Sequence, residues 1–421
     1  MEEQKINKKI TFSVVAVLLI VLVTIGATYA YFSAQAGTDV QTVTTGTLTM
    51  GFTNGDIVNA TGITPIADSE IKTKATSLPF SVTNTGNQHT KITIKLTDIT
   101  IDDALKDVDF RWGLYNADTD KGVSFGIFKY SQTGGEKLLL RDVVLDSGSP
   151  AKNYILRVWI HDNGDVQNNM QGKTFSAKVT VTGEAVEYTD ESCFDFDNGS
   201  ITGYNSTCGE DVVIPKTIGG VAVTQISAYE DEFGGYHGAF YHRNIRSVVI
   251  PEGVTTITKG SFVTSGLKYL TIPESVTTIS ENAFENVSLD FLAIPESNIT
   301  FSIAMPFLRL EGEQRELVIP GTIKLTSLDF VNSIVGDIIL MEGLTTIPNG
   351  TFNMDSWYND SVRVIEIPSS VSSIGQKAFG GLRNLIEIVI RGKSSLDDFT
   401  DSTGLTAADA FFVRPDFKFR P

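Results

Sequence analysis

Apolar and polar residues alternate in short runs between residues 39 and 188, which is the pattern of strands that bury one face. In the run FSAKVTV, the alternation places Phe175 and Val179 on one side and Lys178 on the other. The runs LPFSV and KITIKL repeat this signal on either side of a turn at residues 84–87. Many short strands with little helical periodicity predict an antiparallel β-sandwich of the jelly-roll type over residues 31–188.

The second half of the chain follows a repeat template instead. The segments VVIPEGVTTITKGSF, LTIPESVTTISENAF, IILMEGLTTIPNGTF and IEIPSSVSSIGQKAF are clean copies, and LAIPES and LVIPGT are looser ones. Aliphatic residues lie three and one before the Pro position and three and six after it. A single unit cannot cover its own apolar face, so the units must stack. The template predicts a mainly β solenoid over residues 213–395, with a local irregularity at the looser units.

One phenylalanine recurs eleven residues after each Pro position, as Phe262, Phe284, Phe352 and Phe379. A fixed offset is what core filling requires, so we expect these rings inside the solenoid. Ligand contacts would come from strand positions that the repeat leaves exposed. The candidates for binding are Tyr269, Thr271, Phe291 and Glu366.

Residues 1–30 predict export. Lys5, Lys8 and Lys9 precede 23 uncharged residues, from Ile10 to Phe32, which is the arrangement of a signal peptide. Cleavage after Ala30 is one reading, and an uncleaved membrane anchor is the other, because a helix of this length also spans a bilayer. Both readings place the remainder outside the cell, secreted or at the surface, with membrane contact only through the N-terminal segment.

The two cysteines, Cys193 and Cys208, lie in one short stretch whose central DNGS predicts a hairpin turn. In an exported protein they would form a disulfide. We therefore expect a disulfide-linked hairpin and cap over residues 189–212, before the solenoid. Residues 396–421 are expected to form a C-terminal cap or tail.

Two resemblances cover these regions. The order TYAYFSAQA, TVTTGTLTMGF and SLPFSVTNTGNQHTKITIKL, within residues 24–185, resembles the TasA, CalY and camelysin family of secreted matrix proteins. That resemblance implies export, a jelly-roll fold and, in some members, fibres built by strand donation. Over residues 192–395 the template resembles the BspA-type leucine-rich repeat of bacterial surface proteins. This second resemblance implies a binding solenoid.

No residue pattern favours catalysis, a cofactor or a metal site. The four histidines occur without a zinc-protease or phosphate-loop motif. His237 and His242 flank the segment GAFY, and we expect surface histidines there rather than a metal pair. DFDNG lacks the glycine and glutamate positions of a calcium loop and is read as a turn. The chain is therefore not expected to be an enzyme.

The net charge of −17 argues against nucleic acid as a partner. Together these features predict an exported bacterial surface or extracellular protein. Its solenoid face would bind an extracellular protein or glycan, in adhesion or matrix association. The alternative is a structural biofilm-fibre subunit that self-associates through its N-terminal sandwich.

Overall fold

The computed structural model describes residues 50–53, 57–164, 166–230, 236–302, 308–310, 314–327, 329–330, 333, 335–353, 362–380, 382, 385–392 and 416–420. Strands dominate these residues, so the mainly β prediction is confirmed. The predicted leader at residues 1–30 lies outside the described residues. Among those that are described, no helix is long and apolar enough to cross a membrane.

Two mainly antiparallel sheets pack face to face in the first region. One sheet has the order β1-β4-β9-β6-β7 with β3 beside β9, and the other has the order β2-β10-β5-β8. The strands are β1 (Met50–Thr53), β2 (Ile57–Thr61), β3 (Pro65–Ile66), β4 (Thr76–Asn84), β5 (His89–Ile101), β6 (Phe110–Asn116), β7 (Lys121–Ile127), β8 (Lys137–Leu145), β9 (Lys152–His161) and β10 (Thr174–Val186).

The alternation in the sequence explains how these sheets form a core. Phe175 and Val179 on β10 are fully buried, and so are Ile94 and Leu96 on the paired strand β5. Between β5 and β6 the chain forms a short 3-10 turn, Asp103–Leu105. Another 3-10 turn, Asp68–Glu70, leads into the one-turn helix α1 (Ile71–Lys74).

The solenoid begins with a hairpin and continues as short parallel strands. The hairpin strands are β11 (Phe194–Asp197) and β12 (Ser200–Tyr204), flanked by 3-10 turns at Glu191–Cys193 and Ser206–Cys208. The strands up to the middle of the array are β13 (Asp211–Val213), β14 (Thr217–Ile218), β15 (Val221–Ala222), β16 (Gln225–Ile226), β17 (Ala228–Glu230), β18 (Tyr236–Gly238), β19 (Ser247–Val249), β20 (Thr256–Ile257), β21 (Tyr269–Thr271), β22 (Thr278–Ile279), β23 (Ser288–Leu289), β24 (Phe291–Ala293), β25 (Thr300–Phe301) and β26 (Arg309–Leu310).

The remaining strands are β27 (Glu316–Ile319), β28 (Asp337–Leu340), β29 (Thr346–Ile347), β30 (Val364–Ile367), β31 (Ser373–Ile374), β32 (Glu387–Arg391) and β33 (Asp416–Arg420). The strands just before the Pro positions form two ladders, β13-β19-β21-β24 and β27-β28-β30, and β32 and β33 continue the second ladder. A second face carries β11-β12-β16-β20-β22-β25 and, later, β29-β31. Strand β33 lies in the predicted C-terminal cap and extends the ladder.

The repeat template is confirmed in the packing. The aliphatic pairs around each strand are buried, and the four template phenylalanines are at most 1% exposed. The rings of Phe262 and Phe284 stack 4.9 Å apart, and those of Phe352 and Phe379 stack 5.4 Å apart. The phenylalanines therefore fill the core, as the fixed offset predicted.

The predicted irregularity falls between β24 and β27, where the strand ladder breaks. The side chain of Gln314 bridges the break, because Leu292 N donates to Gln314 Oε1 at 2.7 Å and Gln314 Nε2 donates to Leu292 O at 3.1 Å. A buried side-chain amide thus makes the hydrogen bonds that a neighbouring strand would otherwise make with β24. Phe301 takes the aliphatic position of its unit and contacts the ring of Phe330, 5.9 Å away.

The hairpin before the solenoid has a two-residue turn. Asn198 and Gly199 both have positive φ, 44° and 89°, as a type I′ turn requires. The DFDNG segment is therefore a turn, as predicted. Cys193 and Cys208 form a disulfide, and their Cα atoms lie 6.1 Å apart.

Candidate functional site

The solenoid face formed by the strands before the Pro positions, here called the first face, is covered by the sandwich. The edge strands β7 and β8 of the two sheets make this contact. Glu296 N donates to Gly122 O on β7 at 2.7 Å, and Thr271 Oγ1 donates to Arg141 O on β8 at 2.7 Å. The sandwich therefore covers this face of the solenoid, and the solenoid covers the edge strands β7 and β8 of the sandwich.

All four candidate binding residues lie in this interface. Phe291 packs in the sandwich core and is 3% exposed, and Glu366 is 2% exposed. Tyr269 and Thr271 are half-buried, with the Arg141 guanidinium 3.5 Å from the centre of the Tyr269 ring. Phe291 and Glu366 are therefore not exposed as expected, because the sandwich covers them, and a ligand-contact role for the four residues stays a prediction. Their use by an external ligand would require the sandwich to move away.

The sequence also indicates that the sandwich covers this face, although the alternation of apolar and polar residues does not show it. Val249, Ala293, Val318 and Ile339 stand between the inward pairs of their strands, at positions that a one-sided strand leaves polar. All four are buried. Continuous apolar runs such as VVI, LAI and IIL are typical of strands buried on both faces.

Glu366 lies at the centre of a buried ion network that joins the two regions. Its carboxylate accepts from Arg111 of β6 and from Arg391 of β32, with Arg391 Nε at 2.7 Å. His161 Nε2 lies 3.1 Å from Glu366 Oε1, and His161 Nδ1 lies 2.6 Å from Asp68 Oδ1. Arg391 also donates to the carbonyl of Asp162 at 2.7 Å.

These contacts change the pKa values of the network. Burial opposes ionisation of Glu366, but the charges of Arg111 and Arg391 hold its pKa well below the ordinary value. Burial and the Arg111 charge oppose protonation of His161, yet the carboxylates of Asp68 and Glu366 raise its pKa. Opposite charges therefore outweigh desolvation at both groups.

Asp109 is the exception in the network. Burial and the negative charge of Glu366 raise its pKa to about 6. The Oδ2 atom of Asp109 accepts from Gln167 Nε2 at 3.1 Å. This carboxyl group therefore titrates in the mildly acidic range, unlike Glu366.

Other acidic side chains of the solenoid pair with donors on the sandwich. Glu316 Oε1 accepts from Lys137 Nζ at 2.8 Å, and Asp337 Oδ2 accepts from Lys129 Nζ at 2.7 Å. Glu274 Oε1 accepts from Asn116 Nδ2 at 2.8 Å. The interface is thus held by apolar packing together with hydrogen bonds and ion pairs distributed along the solenoid.

At least two cavities lie at this junction in the described part of the chain. One, of about 620 Å³, lies beside the ion network and is lined by Asp68, Tyr115, His161 and Arg391 among others. The second, of about 520 Å³, lies at the first solenoid units and is lined by Asp142, Tyr154 and residues 249–252 and 271–274 among others. Both have the volume of small-ligand sites.

The histidines show no catalytic arrangement in the described part of the chain. His161 has a carboxylate near each ring nitrogen, that of Asp68 at Nδ1 and that of Glu366 at Nε2. His237 and His242 are exposed, as the sequence predicted for surface histidines. No group of three His, Cys, Asp or Glu side chains among the described residues could hold a metal ion.

Comparison with known families identifies the repeats. Residues 236–356 and 351–402 match the BspA type Leucine rich repeat region, in six copies. This part of the solenoid is therefore similar to BspA-type leucine-rich repeats. None of the comparisons supports the resemblance of residues 24–185 to the TasA, CalY and camelysin family, which stays a prediction. No curated protein matches the chain.

Two solved structures are similar to this chain. A Treponema pallidum leucine-rich-repeat protein is 18% identical, over 47% of this chain and 91% of its own, with a TM-score of 0.34. The pneumococcal vaccine antigen PcpA is 17% identical, over 46% of this chain and 78% of its own, with a TM-score of 0.15.

Proposed function

We propose that this chain is an exported bacterial cell-surface or extracellular protein that binds a macromolecule or glycan through its leucine-rich-repeat region, in adhesion or matrix association. The BspA-type repeats carry the proposal. Stacked repeats present an extended surface, which is how solenoid proteins engage large ligands. The predicted leader at residues 1–30 supports export.

We place the external ligand on the second face of the solenoid, because the sandwich covers the first. Thr255, Thr277, Thr345 and Ser372 are exposed there, one in each clean repeat. Thr277 Oγ1 donates to Thr255 O at 3.3 Å, and Ser372 Oγ donates to Thr345 O at 3.3 Å. The hydroxyl groups are therefore held at the spacing of neighbouring strands, about 4.8 Å.

Binding of the labelled, purified chain to immobilised extracellular-matrix proteins and glycans tests this function. Thr277→Arg inserts a bulky charge into the face and should reduce binding at least tenfold. Thr73→Arg, at an exposed threonine of α1, is the matched control and should bind as the wild type. Equal binding by both variants would contradict the assigned face, and no binding to any surface would contradict the function.

Export is tested separately. Brief protease treatment of intact cells should release peptides of the solenoid if the chain is at the surface. N-terminal sequencing of the exported protein then distinguishes cleavage after Ala30 from an uncleaved anchor. A chain that stays protected until the cells are lysed would contradict export.

One observation favours the fibre subunit as a second candidate. The solenoid covers the edge strands β7 and β8, whereas in the described residues β1 and β2 end their sheets without a further strand. An uncovered edge strand can pair with another chain. Electron microscopy of the purified mature protein decides this, because monomers at high concentration would exclude fibres.

A further inference from the structure

Three side chains on adjacent strands of the sandwich meet at one point of the sheet β2-β10-β5-β8. Lys91 on β5 has Glu184 on β10 as its cross-strand partner on one side and Val144 on β8 on the other. Asp142 lies two residues before Val144, beside a break in the regular pairing of β8 with β5. Long side chains also reach diagonal neighbours across strands. The order of the strands therefore places an amine between two carboxyl groups.

The distances in this group suit a reaction between two of its members. Lys91 Nζ lies 3.6 Å from Asp142 Oδ1 and 2.7 Å from Glu184 Oε1. Asp142 Oδ1 accepts no hydrogen bond from the described residues, so the amine contacts this carboxyl group without being held by a hydrogen bond. Groups that a protein holds about 3–3.5 Å apart react at effective concentrations of about 10⁵ M or more.

The two groups are shielded from water. The side chain of Lys91 is 9% exposed, and that of Asp142 is 1% exposed. The solenoid covers this part of β8, because Thr271 Oγ1 donates to Arg141 O. The φ of Asp142 is +57°, and bulges with such a residue turn a side chain in a new direction and are frequent beside active sites. Because the amine and the carboxyl group belong to one chain, their reaction needs no access from the solvent.

The surroundings of Asp142 favour its neutral acid form, which is the form that an amine attacks. Burial raises the pKa of the carboxyl group, and the charges of Arg141 and Lys91 do not fully offset this effect. Arg141 Nε donates to Asp142 Oδ2 at 3.1 Å. A positive charge thus lies beside the oxygen on which negative charge develops during attack on Cγ.

Glu184 is placed to take a proton from the amine. A general base must lie about 2.6–3.2 Å from the atom that it deprotonates, and Glu184 Oε1 meets this condition at Lys91 Nζ. The side chain of Glu184 is 64% exposed. It can therefore pass the proton on to the solvent.

We propose that Lys91 and Asp142 form an intramolecular isopeptide bond. Glu184 takes one proton from the ammonium group, and Nζ attacks Cγ of the carboxyl group, which is protonated on Oδ1. The Nζ–Cγ bond forms, a second proton moves from Nζ to Oδ1, and the Cγ–Oδ1 bond breaks as Oδ1 leaves in a water molecule. Oδ2 stays on Cγ as the amide oxygen, beside Arg141. The reaction is a condensation and needs no oxidant, reductant or co-reactant.

The bond lies within the sandwich, so it does not depend on the proposed function. It joins β5 to β8 and limits how far the unfolded chain can extend between Lys91 and Asp142. A cross-link of this kind stabilises a fold chiefly by restricting the unfolded state. The linked protein should therefore unfold at a higher temperature than a variant that cannot form the bond.

Mass spectrometry of the purified full chain, reduced and denatured, tests the bond. We expect a mass lower by one water molecule than the mass calculated from the sequence and the determined N-terminus. Trypsin should not cleave after Lys91, and one branched peptide should contain both Lys91 and Asp142. The full calculated mass, or a loss of water without the branched peptide, would overturn the inference.

Lys91→Arg keeps the positive charge and should abolish the loss of water. Lys95→Arg is the matched control and should keep it, because Lys95 lies on the same strand and pairs with Glu136 at 2.9 Å. If Lys91→Arg fails to fold, Lys91→Met removes the amine and keeps a side chain of similar length. Loss of water in a folded Lys91 variant, or no loss in Lys95→Arg, would overturn the assignment to Lys91.

Glu184→Gln tests the role of the base. The fraction of linked chain is measured by mass at intervals after a short pulse of synthesis. A general base contributes about a hundredfold or more to the rate, so the variant should form the bond about a hundredfold more slowly than the wild type. Glu136→Gln, at the glutamate that pairs with Lys95, is the control and should keep the wild-type rate. Equal rates in the two variants would overturn the role of Glu184.

Discussion

Glu366 and Arg111 form a buried ion pair although they lie 255 residues apart in the chain. One belongs to a solenoid strand and the other to the sandwich, so the pair ties the two regions together. Both side chains are at most 4% exposed. The pair therefore lies inside the interface in which the sandwich covers the solenoid.

Glu366→Gln should destabilise the protein by about 3–5 kcal/mol, because it leaves the buried charges of Arg111 and Arg391 without their shared partner. Urea unfolding at pH 7 measures the change. Glu187→Gln, at an exposed glutamate, is the control and should lie within about 0.5 kcal/mol of the wild type. A loss no larger than that of the control would show that the network contributes little to stability.

The same network predicts a pH dependence of stability. The pKa values of Glu366 and Asp68 are lowered in the folded protein. Their contribution to the free energy of unfolding is therefore fully present above the ordinary pKa values, 4.5 and 3.8, and is lost as the pH falls through the lowered pKa values. The pKa of Asp109 is raised to about 6, so its contribution is lost as the pH rises from 3.8 through about 6. The pKa of His161 is raised above its ordinary value of 6.5, so the stability that its protonated form contributes is lost as the pH rises through the raised pKa.

The network should therefore contribute most to stability in mildly acidic solution. The free energy of unfolding, measured in urea at several pH values between about 2 and 9, checks this. In His161→Asn the decline on the alkaline side should shrink, whereas the loss below pH 4 should remain. His242→Asn, at an exposed histidine with positive φ, is the control. An unchanged alkaline decline in His161→Asn would contradict the role of this histidine.

The sequence predicts both regions, because alternation and repetition record which side of each strand is buried. It does not predict how the regions meet. Arg111 and Glu366 share no spacing or motif, since their contact depends on tertiary structure alone. The repeat template predicts that the residues between the inward pairs are exposed, because a strand with one buried face turns them towards the solvent. Val318 and Ile339, apolar at these positions, show that the solenoid sheet is buried on both faces.

The bridge at Gln314 gives a third prediction. Gln314→Leu replaces the amide with an apolar side chain of similar size and leaves Leu292 N and O without their partners in Gln314. Each unsatisfied buried group costs about 1–3 kcal/mol, so the variant should unfold at clearly lower urea. Gln376→Leu, at an exposed glutamine, is the control. Equal stability of the two variants would show that water replaces the amide.

The disulfide is open to a direct chemical measurement. Thiol titration of the denatured, unreduced protein should find no free cysteine. The bond closes a loop of 15 residues, so the double variant Cys193→Ser with Cys208→Ser should be less stable by about 3 kcal/mol. Two reactive thiols would reject the disulfide and weaken the case for export.

The phenylalanine stack gives the last prediction, which concerns the register of the whole solenoid. Phe284 is fully buried and its ring lies 4.9 Å from that of Phe262. Phe284→Ala removes a ring from a packed column and should cost about 3–5 kcal/mol. Contacts in a solenoid join mainly adjacent units, so hydrogen exchange should accelerate in β20, β22 and β25 and least in β5 and β10 of the sandwich. Ile386→Ala is the control, because that aliphatic side chain is 55% exposed. Unchanged unfolding of Phe284→Ala together with lost ligand binding would mean that the ring faces the solvent, and the inward register of every repeat would then be wrong.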